Sequence, residues 1–314
     1  MIPTLHRQPF PVRVEALGRA AVLRRGSGDR RQGRLPQAPR PSRGGPVSSR
    51  KREEQEFHDR LRDEALEQRW TVEAEKRTEA DPRWANFKYY AVERRSLDYA
   101  REWLRREVVG RTVLDYGCGN GEESLFAARQ GAARVFGIDL SEVSIKNCRL
   151  RAAQEGLGHT LDFRVNDGEA LEFADNMFDV AMEYGVLHHV DLKAAMRELA
   201  RVLRPNGRMI CTEALGHNPI IQAYRRRTPD LRTQWEVEHI LRKEAFATMA
   251  GYFHHVEMRF FHLATLAAVP FRKSAIFGPF LGLLETVDEV LLRTPGLKWH
   301  AWITVFALGQ PRGK

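Results

Sequence analysis

Residues 113–121 read Val-Leu-Asp-Tyr-Gly-Cys-Gly-Asn-Gly, a short apolar run that meets an acid and enters three glycines at every second position. Such a run fits a buried strand leading into a tight turn. A residue without Cβ frees the backbone to turn and lets a ligand lie against the main chain. Two ligand classes compete for this loop. The dinucleotide fingerprint Gly-x-Gly-x-x-Gly rests a pyrophosphate on the amides that open the next helix. Here the spacing is Gly117-x-Gly119-x-Gly121, one residue short, and Asp115 stands in front of it. A carboxylate repels a pyrophosphate and attracts an ammonium, directly or through water, so the loop reads as a seat for a cationic ligand.

The neighbouring runs extend the pattern. Val135-Phe-Gly-Ile-Asp139 is a second apolar run ending in an acid, 20 residues beyond Gly119. That is about the separation at which a carboxylate from the second strand meets a ribose diol. Leu161-Asp-Phe-Arg-Val-Asn-Asp167 ends in a carboxylate able to receive an adenine amino group. Phe178-Asp-Val-Ala-Met-Glu-Tyr-Gly-Val-Leu-His-His189 reads as a buried strand entering the acceptor side, and Leu203-Arg-Pro-Asn-Gly207 as a turn before a strand over Arg208–Glu213.

Taken in order, VLDYGCGNG, VFGIDLS, NDGEALEF, FDVAMEYGVLHHV and VLRPNGR resemble class I S-adenosylmethionine (SAM)-dependent methyltransferases, in particular the small-molecule type 11 group that includes ubiquinone and menaquinone C-methyltransferases. The resemblance covers residues 85–260. Where the family usually carries Pro-Gly-Gly before the fifth strand, this chain has Pro205-Asn206-Gly207, a change that asparagine's tolerance of positive φ makes minor. The resemblance implies SAM as cofactor and seven strands, the last antiparallel. It also implies a cofactor site drawn from Asp115, Gly117, Cys118, Gly119, Gly121, Asp139, Leu140, Asp167, Gly168 and Glu183.

Composition sets the outer bounds. The chain has 314 residues and a formal net charge of +9, but residues 1–52 hold 13 Lys or Arg against Glu15 and Asp29. The remainder, with 37 basic and 39 acidic residues, is close to neutral. Residues 1–52 also hold seven of the 15 prolines and no periodic apolar face, so they read as a disordered basic tail. A solvated extension, an Arg-rich transit segment and a nucleic-acid-binding arm all fit it. Cys118, Cys148 and Cys211 are too scattered for a disulfide framework or a zinc site, and no metal-ligating set is assigned. A reducing cytoplasm fits, or an organelle if the tail is a transit segment. No apolar run reaches the ~18 residues of a membrane span.

The fold class read from the chain is α/β and Rossmann-like: a seven-stranded, mostly parallel sheet with helices on both faces. Strand and helix patterns alternate from Thr112 onward, with helices expected over Glu122–Gln130, Val143–Ala153 and Leu192–Leu203. An N-terminal helical cap is expected over residues 53–110, with helices over Glu53–Glu79 and Ala91–Val108. The methyltransferase domain then fills 111–314. Helical insertions near the C-terminus, about 214–241 and 262–297, stand where the family builds its acceptor pocket and lid. Lys243–Ala250 reads as a helix, and Phe253–Phe261 and Ala301–Leu308 as strands.

Catalytic residues are harder to read than cofactor residues, because methyl transfer from a sulfonium needs mainly alignment. A base is required only for a protonated acceptor. His189 after the fourth strand, and His217 and His239 in the first insertion, are the candidates; His188 and Glu238 lie beside them. Arg225-Arg-Arg227 reads as a solvated face. The function these residues point to is methyl transfer from SAM to a small molecule, with lipophilic acceptors included. An RNA or protein methyltransferase using the basic tail, or a non-catalytic SAM-binding module, is the alternative. Nucleic acid is disfavoured as a partner, since the fourth strand lacks the Asn/Asp-Pro-Pro-aromatic motif. The acceptor, the atom methylated and the oligomeric state stay open.

Overall fold

The computed structural model describes residues 48–61 and 87–312; the tail reading for residues 1–47 and the helix reading for 62–79 fall outside them. Seven strands form one sheet in the order β3-β2-β1-β4-β5-β7-β6. They are β1 (Thr112–Tyr116), β2 (Arg134–Asp139), β3 (Leu161–Val165), β4 (Phe178–Tyr184), β5 (Leu203–Ala214), β6 (Phe253–Phe261) and β7 (Ile303–Pro311). β1 to β5 pair in parallel, and β7 runs antiparallel between β5 and β6. The strand order reverses at β1, between β2 on one side and β4 on the other, so a crevice opens there at the carboxyl ends.

Alternation along each strand assigns its side chains to two cores. Val113, Val135, Val180, Ile210 and Val305 face one layer. That layer contains α3 (Arg94–Glu107), α4 (Glu122–Arg129) and α5 (Glu142–Gln154), which contribute Trp103, Leu104, Leu125, Ile145 and Cys148. Leu114, Phe136, Ala181, Met209 and Phe306 face the other, against α6 (Leu192–Val202) and α9 (Lys243–Ala250). Ser141 and Asp191 cap α5 and α6 by accepting the amides of Ser144 and Ala194.

Several boundaries differ from the sequence reading. α1 spans Ser49–Leu61 and so begins inside the stretch read as tail. Its first turn is held by contacts with residues more than a hundred positions away, which local composition does not report. A short helix α2 (Phe87–Tyr90) precedes α3. The turn at Pro205-Asn206-Gly207 lies within β5, where Leu203 pairs Phe178 and Arg208 pairs Val180 across a register irregularity. The first insertion forms α7 (Pro219–Arg227) and α8 (Gln234–His239), and the second forms a 3-10 stretch (Ala264–Phe271) and α10 (Phe277–Leu291). In α10 Leu281 packs inward while Leu283, Val287 and Val290 remain exposed. The last strand starts at Ile303 and extends to Pro311, because β6 pairs with it over that length while β5 pairs as far as Gly309.

Candidate active site

The strand-end acids gather at the carboxyl edge as the strands align. Asp115 on β1 stands opposite Gly137 of β2 and Met182 of β4. It is buried and its Oδ2 accepts the Ser124 hydroxyl at 2.6 Å. Burial pushes its carboxyl up to about 7, only partly offset by that bond, and Glu123, Glu122 and Asp139 raise it further. The loop that follows takes left-handed conformations at Gly117 (φ 71°), Gly119 (φ 52°) and Gly121 (φ 78°). At Gly117 a Cβ would fall 2.5 Å from Val186 Cγ2, so the turn also closes tightly against the loop after β4.

Asp139, at the end of β2, closes the loop from the other side. Its Oδ2 accepts the Gly119 N–H and its Oδ1 the Ser141 N–H, both at 2.9 Å. Because Ser141 caps α5, Asp139 is not needed as the helix cap. Cys118 is buried beneath the loop, the Cys148 thiol donates to the Gly119 carbonyl at 3.0 Å, and Leu140 is half-buried beside Asp139. Past β3, Gly168 packs against the Tyr116 ring, and Asp167 accepts the Glu169 N–H and the Lys51 ammonium at 2.9 and 2.5 Å. α1 therefore lies across the part of the edge beside the end of β3.

The end of β4 holds a buried carboxyl pair. Glu183 accepts the Val186 N–H at 3.0 Å. Burial, and after it the neighbouring Glu213, push its carboxyl well above the usual carboxylate range. Glu213, from β5, accepts Leu187 N–H at 2.5 Å and His188 Nδ1–H at 2.6 Å. Burial opposes its ionisation but His188 outweighs it and keeps it low, while Glu213 keeps His188 raised against its own burial. Tyr116 hydroxyl, Asn166 Oδ1 and Glu183 Oε1 are buried without hydrogen-bond partners at the ends of β1, β3 and β4. Such atoms are costly unless a ligand or water meets them.

The three histidine candidates are placed differently. His189 Nδ1 donates to Glu54 of α1 at 2.9 Å, with the His58 ring 4.9 Å away. His217 is half-buried and its Nε2 accepts the Lys243 N–H at 3.1 Å, while burial and Arg242 lower its pKa. His239 and Glu238 are exposed on α8, the His239 ring stacked on Trp235 at 3.6 Å. Arg225 is not part of a solvated face: it is buried, donating to the Leu215 carbonyl, and burial lowers it to about 10. Glu54, Glu213 and Thr233 were missed from sequence. A charged residue inside the apolar run Met209–Cys211 to Glu213 was the signal available for one of them. A cavity of about 390 Å³ with a mixed lining that includes Asn206, Arg208, His255 and Leu308 lies at the opposite end of the sheet and is unrelated to these residues.

The model of a methyltransferase domain family matches residues 114–211. The chain is 44% identical over 97 residues to the ubiquinone biosynthesis O-methyltransferase of Parvibaculum lavamentivorans, covering 31% of this chain and 37% of that protein. It is 40% identical over 102 residues to methyltransferase GfsG of Streptomyces halstedii, covering 32% and 36%. The chain thus spans less than two fifths of the length of these two relatives. Among solved structures, geranyl diphosphate C-methyltransferase from Streptomyces coelicolor A3(2), in complex with Mg2+, geranyl diphosphate and S-adenosyl-L-homocysteine, superposes with a TM-score of 0.55. That match covers 85% of this chain and 100% of the other at 17% identity, a likeness of fold.

Proposed function

We propose, from the match of residues 114–211 to a methyltransferase domain model, that the chain is a class I SAM-dependent methyltransferase acting on a small molecule. The observation that supports it most is the carboxyl edge between β1, β2 and β4. There a left-handed glycine loop, Asp115 and Asp139 surround the point where the strand order reverses. Open α/β sheets bind ligands at that position.

The residues present suit the donor. On this reading Asp115 receives the ammonium, Asp139 the ribose hydroxyls and Asp167 the adenine amino group. Tyr116 hydroxyl, Asn166 Oδ1 and Glu183 Oε1 offer unmet polar atoms along the same edge. When bound, SAM supplies a methyl group already activated on a sulfonium. The chain's part is to hold the partners in line and exclude water. Gly119 and Ser141 amides fix the Asp139 carboxylate before any ligand arrives. Lys51 on Asp167 and Arg50 on Glu169 lay α1 over the edge, which supports α1 as the element that shields the site.

A small, apolar acceptor is supported by the second insertion, where Ile276, Leu283 and Val290 stay exposed. A cytoplasmic location is supported by three free, buried cysteines. No helix of the described residues is long and apolar enough to cross a membrane. The test is to incubate the full chain with methyl-labelled SAM and a cell extract, then identify the labelled product by mass. A labelled small molecule is the expected result. Label only in RNA or protein would overturn the acceptor class, and no SAM binding at millimolar concentration would overturn the whole reading.

A further inference from the structure

Three groups that the methyl-transfer reading leaves unused meet where α1 crosses the loop after β4. Glu54 and His58 are one helical turn apart and share a face of α1. His189 comes from the opposite wall, 135 positions along the chain from Glu54. Glu54 Oε2 lies 2.9 Å from His189 Nδ1 and 3.7 Å from His58 Nε2, and one ligand atom from each of the three falls within 4.8 Å of the others. A tetrahedral ion bound at zinc-like lengths holds its ligand atoms about 3.3 Å apart, so this set needs only small side-chain shifts to close on one.

We propose that Glu54, His58 and His189 bind one divalent transition-metal ion of the zinc–iron(II) class. The chemistry of the set selects that class: two imidazoles and one carboxylate suit zinc, iron(II) or cobalt(II), whereas magnesium prefers an all-oxygen shell. The carboxylate is prepared for the role. Glu54 is nearly fully buried, and Thr233 donates to its Oε1, which leaves Oε2 turned to the two histidines. Orientation of a ligating group by a second residue of this kind is how protein metal sites hold their geometry. Repulsion from neighbouring cations is limited, because Arg50 and Lys51 are each neutralised by Glu169 or Asp167.

Ion binding stands independently of the methyl-transfer reading. Its consequence for the acceptor rests on that reading. Three protein ligands leave a tetrahedral ion one open position. At the carboxyl edge that position is available to an acceptor oxygen, whose proton the ion would make easier to lose. The same ion would pin α1 to the loop after β4 and so close the site. His189 then serves as a ligand and not as a general base.

The test uses the full chain, stripped of metal by chelator and dialysed, titrated with Zn2+ by calorimetry and with Co2+ by visible absorption. One ion per chain is expected, with the intense absorption of a low-coordinate cobalt site. Glu54→Gln, His58→Ala and His189→Ala should each weaken binding by at least ~10-fold, and Thr233→Val by about 10-fold. His159→Ala, at an exposed turn, should leave it unchanged. His58 is one-quarter exposed, so its removal tests the site without disturbing the core. Circular dichroism on each variant separates lost binding from lost folding. No saturable uptake near one ion per chain, or uptake unchanged in both His58→Ala and His189→Ala, would overturn the proposal. SAM calorimetry on the same samples tells the readings apart. Metal uptake without SAM binding removes the proposed function and leaves this site standing.

Discussion

Replacing Gly117 by alanine probes the loop on which the cofactor reading turns. Gly117 has φ of 71°, a conformation that costs an L-residue about 1–2 kcal/mol. Its new Cβ would also lie 2.5 and 2.6 Å from the two Val186 methyl carbons, closer than packed atoms approach. Forcing a methyl into such a space costs about 1–3 kcal/mol, so Gly117→Ala should destabilise the chain by about 2–5 kcal/mol in total. Val186→Ala separates the two parts. It removes both colliding methyls and leaves Cβ at 3.1 Å, while costing about 1 kcal/mol alone. In the double variant the collision is reduced to one tight 3.1 Å contact and most of the remaining cost is that of the backbone, so the two changes should be non-additive by about 1–3 kcal/mol. Urea denaturation of the four proteins gives these values. A Gly117→Ala loss below about 0.5 kcal/mol, or additivity of the pair within that margin, would refute the reasoning.

Two further outcomes follow from buried carboxylates. With Asp115 pushed up to about 7, the free protein carries a neutral carboxyl below that pH and an ammonium-attracting carboxylate above it. SAM affinity should therefore rise from pH 6 to pH 8, by up to about tenfold per unit below 7. The ligand's own α-amino group titrates at about 7.7–8.0, so the readout is the difference between wild type and Asp115→Asn by calorimetry at each pH; identical profiles would contradict the role. In the second insertion, Asp288 accepts the N–H groups of Leu263, Ala264 and Thr265 and the Thr265 hydroxyl, at 2.6 to 3.2 Å. Asp288→Ala strands these donors and should cost about 3–5 kcal/mol in chemical denaturation, and a loss under 1 kcal/mol would show that water replaces it freely.

What the sequence shows of this molecule is what is local in it. β1 and β2 announce themselves because an apolar run, an acid and a turn residue are adjacent in the chain. α9 and β6 fall where periodicity puts them, at Lys243–Ala250 and Phe253–Phe261. The clustering of Asp115, Asp139 and Asp167 follows from parallel strands in register, so it too is legible once the sheet is assumed. Contacts between remote segments are not. Nothing near Glu54 marks it as the partner of His189 and Thr233, and nothing near Arg225 marks it as buried among residues of the first insertion. The His188–Glu213 pair is intermediate: a glutamate in an apolar strand demands a partner, but only the fold identifies which one. The start of α1 was hidden for the same reason, since salt bridges to Asp167 and Glu169 hold a segment whose own composition resembles the basic tail.

The most direct measurement is calorimetric titration of the full chain with SAM, side by side with Asp139→Ala. One site per chain is predicted for wild type, with affinity reduced at least ~10-fold when the carboxylate that closes the glycine loop is removed, in line with the ~1.5–3 kcal/mol of a hydrogen bond to a charged group. Equal affinities in the two proteins, or tighter binding of a nicotinamide dinucleotide than of SAM, would contradict the assignment of this edge.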